Sequence, residues 1–169
     1  MYTDMFAQMK KQLGQLDKWL GVAADHARSK NFDPGVLPTL RLAPDQFPLA
    51  RQVQICCDSA KVAAAFLAGK PAESQPDTEQ TIEELQGRVR STIAYVGSFT
   101  PDDFAGAATV AISQPRWKGE WMTGADYFVQ HAVPNFYFHL TTAYAILRHN
   151  GVGLGKRDFL GAQRKHPPT

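Results

Sequence analysis

Apolar residues recur at spacings of three and four over four long stretches of this chain, the repeat of a helix that buries one face. Between Tyr2 and Ala27 the stripe is Phe6, Met9, Leu13, Leu16, Leu20 and Ala23 or Ala24. A second runs through Leu49, Val53, Cys56, Ala60, Ala63 and Leu67, with Asp45 as its expected N-cap, Pro48 in its first turn, and Gly69 and Pro71 at its end. A third carries Ile82, Leu85, Val89, Ile93 and Val96, is expected to start at Asp77 or Thr78, and stops before Thr100-Pro101. The fourth, Thr123 to Gly151, places Val129, Ala132, Phe136, Leu140, Ala143 and Leu147 on one face. Thr123 and Asp126 have the form of a capping box at its start, and Gly151 can end it in the left-handed conformation. Pro134 lies inside this helix, removes an amide donor from the carbonyl of Gln130, and predicts a kink.

The links are uneven. Residues 31–44 hold three prolines and a glycine, a long connection with room for one short helical turn, and residues 70–77 are polar and proline-rich. Between the third and fourth helices the period changes to alternation. Ala107–Ser113 and Trp117–Met122 flank Gln114-Pro115-Arg116, which predicts a β-hairpin with Trp117 and Trp121 on one face. The whole reads as an all-α four-helix bundle with at least one crossover link and a small β-hairpin before the last helix. Residues 1–161 form one domain, and 162–169 a flexible tail.

Composition narrows the function classes. The 169 residues are 44% hydrophobic and 20% charged, enough for a real core. A net charge of +2 does not argue for nucleic acid, and the clustered cations Lys156, Arg157, Arg164 and Lys165 belong to a segment rich in Gly and Pro. No apolar run of signal-peptide or membrane-spanning form is present, so the expectation is a soluble cytoplasmic protein. Cys56 and Cys57 are adjacent and point roughly 100° apart on a helix, which fits reduced thiols, one packing as a small hydrophobe.

The candidate chemistry lies beside the apolar face of the fourth helix. His131, Asn135, His139 and Thr142 follow one another at spacings of four, four and three. Such a stripe needs partners, because an unpaired buried polar group costs about 1 to 3 kcal/mol. On the second helix Gln54, Asp58 and Lys61 form a neighbouring polar row, with Asp58 and Lys61 spaced for a surface ion pair. Gln54 and Asp58 are the nearest candidates to complete a polar pocket or network with the stripe. A Cys-His-Asn reading of Cys56 or Cys57 with His139 and Asn135 rests on residue types alone.

The block PNFYFHLTTAYAILRHNGVGLGKRDFLG, residues 134 to 161, resembles the C-terminal signature of a family of uncharacterised bacterial proteins of the DinB/YfiT-like superfamily. The resemblance extends over the whole chain in helix order and in the hairpin. It implies an up-down-down-up bundle, often a homodimer. In better-known relatives it also implies a divalent metal held by one histidine of the second helix and a His-x-x-x-His pair of the last. Some relatives are thiol-dependent transferases. His139 falls at the second histidine of that pair, but Asn135 stands at the first, and the second helix has no histidine. An amide carbonyl is a poor zinc ligand, better suited to harder cations. His131 is about 12 Å from His139 along a straight helix, too far to share an ion.

Two readings follow. In the first the superfamily's metal site is lost and a small polar pocket remains, for binding a small molecule or for association, with no cofactor and no nucleic acid or membrane partner. In the second a divalent ion (zinc, nickel, manganese or calcium) is held by His139 with Asn135 and Asp58, and serves a thiol-dependent transferase or a hydrolase.

Overall fold

The computed structural model describes residues 1–165. The last four positions of the expected tail lie outside the described residues. Helix α1 spans Tyr2–Ser29 and ends as Asn31 turns the chain at a φ of 57°. A six-residue 3-10 helix, Pro34–Thr39, occupies the long link, capped by the Asp33 carboxylate accepting from the Gly35 amide at 2.9 Å. Helix α2 is Leu49–Leu67. It opens three residues later than Asp45 suggested, because Pro48 is itself the extended N-cap residue and its carbonyl accepts from Gln52 at 3.0 Å. Helix α3 is Ile82–Gly97. Its start is set by Thr81 and Glu84, which form a reciprocal capping box, rather than by Asp77 or Thr78.

The hairpin is shorter than alternation predicts. Strand β1 (Ala111–Ile112) pairs antiparallel with β2 (Met122–Thr123), and a 3-10 turn at Pro115–Trp117 lies between them. Trp117 and Trp121 therefore stand outside the strands and share no sheet face: Trp117 packs on Tyr127, while Trp121 is exposed. The last long helix then runs through α4 (Gly124–Tyr127), a π turn (Phe128–Ala132) and α5 (Val133–His149). Thr123 caps it by accepting from the Asp126 amide at 3.1 Å, and Gly151 follows its end at a φ of 85°.

Pairings between side chains give the directions. Gly21 lies against Gln86 and Lys10 against Gly97, so α1 and α3 are antiparallel. Asp58 meets Arg88 and Lys61 lies over Tyr95, so α2 and α3 run the same way. Gln52 meets His139 and Ser59 meets Asn135, so α2 opposes α5. With α1 taken as up, the order is up-down-down-up. One core of leucines, alanines and aromatics joins all four helices. Helix α6 (Lys156–Leu160) closes the far side: Trp19 Nε1 donates to the Asp158 carbonyl at 3.2 Å and stacks on Phe159. Lys156 and Arg157 thus belong to a docked helix.

The π turn is the form the expected kink takes. The Val133 amide donates to the carbonyl of Phe128, five residues back. Pro134 has no amide to give and its ring crowds the carbonyl of Gln130, so the turn ahead of it widens instead of breaking. The extra residue rotates the register. Phe128 is buried in place of Val129, which is 61% exposed, while Ala132, Phe136, Leu140, Ala143 and Leu147 keep the predicted face.

Candidate functional site

The polar stripe of the last helix does not form one network; each member has its own partner. His139 is buried and its Nδ1 lies 2.7 Å from Gln52 Oε1. Gln52 Nε2 donates to the Phe47 carbonyl at 3.0 Å, which leaves Oε1 as acceptor and makes His139 Nδ1 the protonated nitrogen. Burial first, and the charge of Arg51 second, depress the pKa of His139 to about 4, so the ring is neutral. Asn135 Nδ2 donates to Ser59 Oγ at 2.7 Å, and Ser59 in turn donates to the Ile55 carbonyl at 2.6 Å. Thr142 turns back on its own helix and donates to the Phe138 carbonyl at 2.7 Å. His131 Nε2 accepts from the Arg116 guanidinium at 2.8 Å, and its ring packs against Trp117 and Tyr127.

The second-helix candidates are engaged by partners other than the stripe. Gln54 Nε2 donates to Glu79 at 3.0 Å, and its oxygen accepts from Arg51. Asp58 takes the buried Arg88 guanidinium at 2.7 Å, not Lys61, whose ammonium lies 5.4 Å from the centre of the Tyr95 ring. Burial raises the Asp58 carboxyl pKa more than Arg88 lowers it. Arg88 also reaches Glu79 at 3.1 Å, Asp77 at 3.0 Å and the Pro76 carbonyl at 3.0 Å, which ties the link before α3 onto the bundle. Asp77 bridges to Arg51 as well.

Sequence reasoning missed Gln52, Ser59, Arg88 and Arg116. Three of them carried a signal. Gln52 and Ser59 stand at helical spacing among the buried residues of α2, and Arg88 stands between Leu85 and Thr92 on the buried side of α3. A polar residue inside an apolar stripe needs a buried partner. Arg116 lies in a turn and carries no periodicity.

These residues enclose a cleft of about 210 Å³ between α2, the π turn and the hairpin turn. Ser59, Asn135, His131, Arg51, Arg116 and Asp58 supply its polar wall, and Ile55, Val62, Tyr127 and Ala132 its apolar one. The π turn contributes two of these residues and Asn135 follows three positions later, so the irregular part of the helix is the part that lines the cleft.

The donor set does not fit the metal that the resemblance implies. His139 keeps an unprotonated Nε2, but Asn135 offers only an amide oxygen, a poor zinc ligand, the Gln54 oxygen accepts from Arg51, and the charge of Asp58 is spent on Arg88. Among the described residues no group of three or more His, Cys, Asp or Glu side chains is placed to hold an ion. A catalytic zinc wants three protein ligands with one position open. The thiols fit a nucleophile no better. Both are buried, burial pushes Cys57 up to about 12 and Cys56 well above its ordinary value, and Cys56 Sγ lies 3.8 Å from the Phe136 carbonyl.

Residues 1–160 match the model of the family described as a domain of unknown function, DUF1993. The chain belongs to the DUF1993 family. This DUF1993 chain is also similar to a solved structure described as a DinB family member from Shewanella denitrificans. The identity is 48%, the match covers 96% of this chain and 93% of that one, and the TM-score is 0.92. No curated protein matches it. The resemblance read from residues 134 to 161 therefore holds at the level of an uncharacterised DinB-like family, and the helical bundle with its small hairpin is the fold of that relative. No helix among the described residues is long and apolar enough to cross a membrane.

Proposed function

We propose that this chain is a DinB-like bundle that binds a small polar molecule in the cleft beside Asn135 and works without a metal at His139. The observation that supports the reading is the engagement of the donors. Asn135, which stands where the relatives' first histidine stands, offers an amide oxygen in place of an imidazole, a poor zinc ligand, and gives its nitrogen to Ser59 across the helix pair. The charge of Asp58 is answered by Arg88 rather than left for an ion. A single imidazole nitrogen does not hold a divalent ion against water. The homodimer implied by the resemblance and the cytoplasmic location expected from the sequence belong to the same reading; exposed Phe138 on the outer edge of α5 supports an association surface there.

The test is elemental analysis of untagged protein, wild type beside His139→Ala, with melting curves in zinc, nickel, manganese and calcium. The reading expects no stoichiometric metal and no rise in melting temperature. One metal per chain, lost in His139→Ala, would sink it in favour of a metal-dependent transferase or hydrolase. Gel filtration with light scattering reads the association state.

A further inference from the structure

We infer that the cleft takes a small organic monocarboxylate, held by Arg116 at its hairpin end, with a hydroxyl or amino donor of the same molecule directed to Asn135. This rests on reading the cleft as a binding site.

Of the three charged side chains that line the cleft, two have ionic partners. Arg51 is paired with Asp77, and Asp58 with Arg88. Arg116 lines the same space and forms no ion pair among the described residues; its one hydrogen bond there is to the neutral His131 ring. A second arrangement would not work for that pair, since Arg116 always donates and His131 must stay unprotonated to accept. The guanidinium keeps further N–H groups in its planar fork, the geometry that matches a carboxylate in two parallel hydrogen bonds. The fork without an ionic partner asks for a planar anion. A phosphate dianion would bring a second negative charge into a space already shared with the Asp58 carboxylate.

The other end of the cleft asks for a donor. Asn135 spends its amide nitrogen on Ser59, and the Ser59 hydroxyl spends its proton on the Ile55 carbonyl. The carbonyl oxygen of Asn135 accepts nothing from the described residues, and an amide oxygen has two lone pairs to fill. Ile55, Val62 and Ala132 lie between the two ends and suit a short aliphatic body. The volume, about 210 Å³, lies below the range of about 300 to 1,000 Å³ usual for drug-sized ligands and suits a short body of about four to six carbons.

The experiment titrates straight-chain hydroxycarboxylates of about that length, their primary amides, and inorganic phosphate into isotope-labelled protein, following amide shifts at Ser59, His131 and Asn135. Arg116→Gln is the test variant, and Arg90→Gln, an exposed arginine paired with Asp17 on the opposite helix pair, is the charge-matched control. Arg116 is exposed, so neither variant threatens the fold. The expected result is that carboxylates move the three reporters, amides and phosphate bind about ten-fold more weakly or not at all, and Arg116→Gln loses about ten-fold in carboxylate affinity while Arg90→Gln does not. Reporters that respond equally to amides or better to phosphate, or to carboxylates undiminished in Arg116→Gln, overturn the ligand class and leave the cleft a binding site. Reporters that respond to no probe overturn both.

Discussion

Two histidines on one helix, eight positions apart, occupy opposite kinds of surroundings. His139 lies on the regular part of the helix, sealed against Gln52, with its proton placed by a chain of hydrogen bonds that ends at the Phe47 carbonyl. His131 lies in the π turn, half-buried at the mouth of a cleft, and holds an arginine that has no acidic partner among the described residues. The difference teaches where a bundle keeps its options. On the regular helix, packing commits His139 and Thr142 to protein neighbours, and Asn135, close behind the π turn, is the member that still lines the cleft. In the wider turn the register slips by one residue, and side chains that would have met α2 line an open space instead.

That contrast can be broken at several points. The largest effect is expected where the sealed side is most heavily charged. Arg88→Ala leaves Asp58, Asp77 and Glu79 without their shared cation and should destabilise by about 3 to 5 kcal/mol in urea unfolding. A loss under about 1 kcal/mol would mean that the carboxylates are satisfied by water. His139→Ala comes next, at about 1 to 3 kcal/mol, because it orphans the Gln52 oxygen.

His139 also sets a pH dependence. Its folded pKa is depressed to about 4 by burial and by Arg51, below the ordinary value near 6.5, so the unfolded chain binds more protons between those limits. Stability should rise with pH from about 4 to 6.5 and gain nothing further from this group above that. His131 is lowered too, by burial first and Arg116 second, and acts in the same sense. Asp58 acts in the opposite sense, since its raised pKa makes the folded state the better proton binder at acid pH. The difference between wild type and His139→Gln isolates the first contribution, and parallel pH profiles for the two would refute it. The smallest effect belongs to His131→Ala, within about half a kcal/mol in the same unfolding assay, because the ring is only partly covered and Arg116 can return to water. A loss comparable to that of His139→Ala would erase the contrast.

What the sequence made legible follows from what repeats. Leu13, Leu85 and Leu140 each belong to a stripe long enough to fix a helix and its buried face, and the order of helices and hairpin could be read from them. Residues 134 to 161 carried enough likeness to name the superfamily. Short-range features were read less well. Thr81 with Glu84 was as clear a capping box as Thr123 with Asp126, but Asp77 lay closer to the link and drew the boundary too early. Val129 was misplaced because periodicity assumes a constant 3.6 residues per turn and the π turn adds one. At the site, His131, Asn135 and His139 were visible as polar positions on one edge, yet their partners were not. Gln52 and Gln54 differ by two positions and face opposite neighbours, and only the packed pair of helices decides which of them meets the histidine. Arg116 depends on how the nine-residue excursion between the two strands, 113–121, folds back over a helix, which no local pattern encodes.

The clasp between Trp19 and the turn at Asp158 and Phe159 joins positions 139 apart in the chain. Ribosomes add about 5 to 20 residues each second, so the first helix waits on the order of ten seconds for the segment that covers its tryptophan. During that interval the indole has neither its stacking partner nor the carbonyl that takes its proton, and α1 offers an apolar flank to whatever is nearby. The fold closes late, and the fluorescence of Trp19 is a natural clock for the moment at which synthesis hands over to packing.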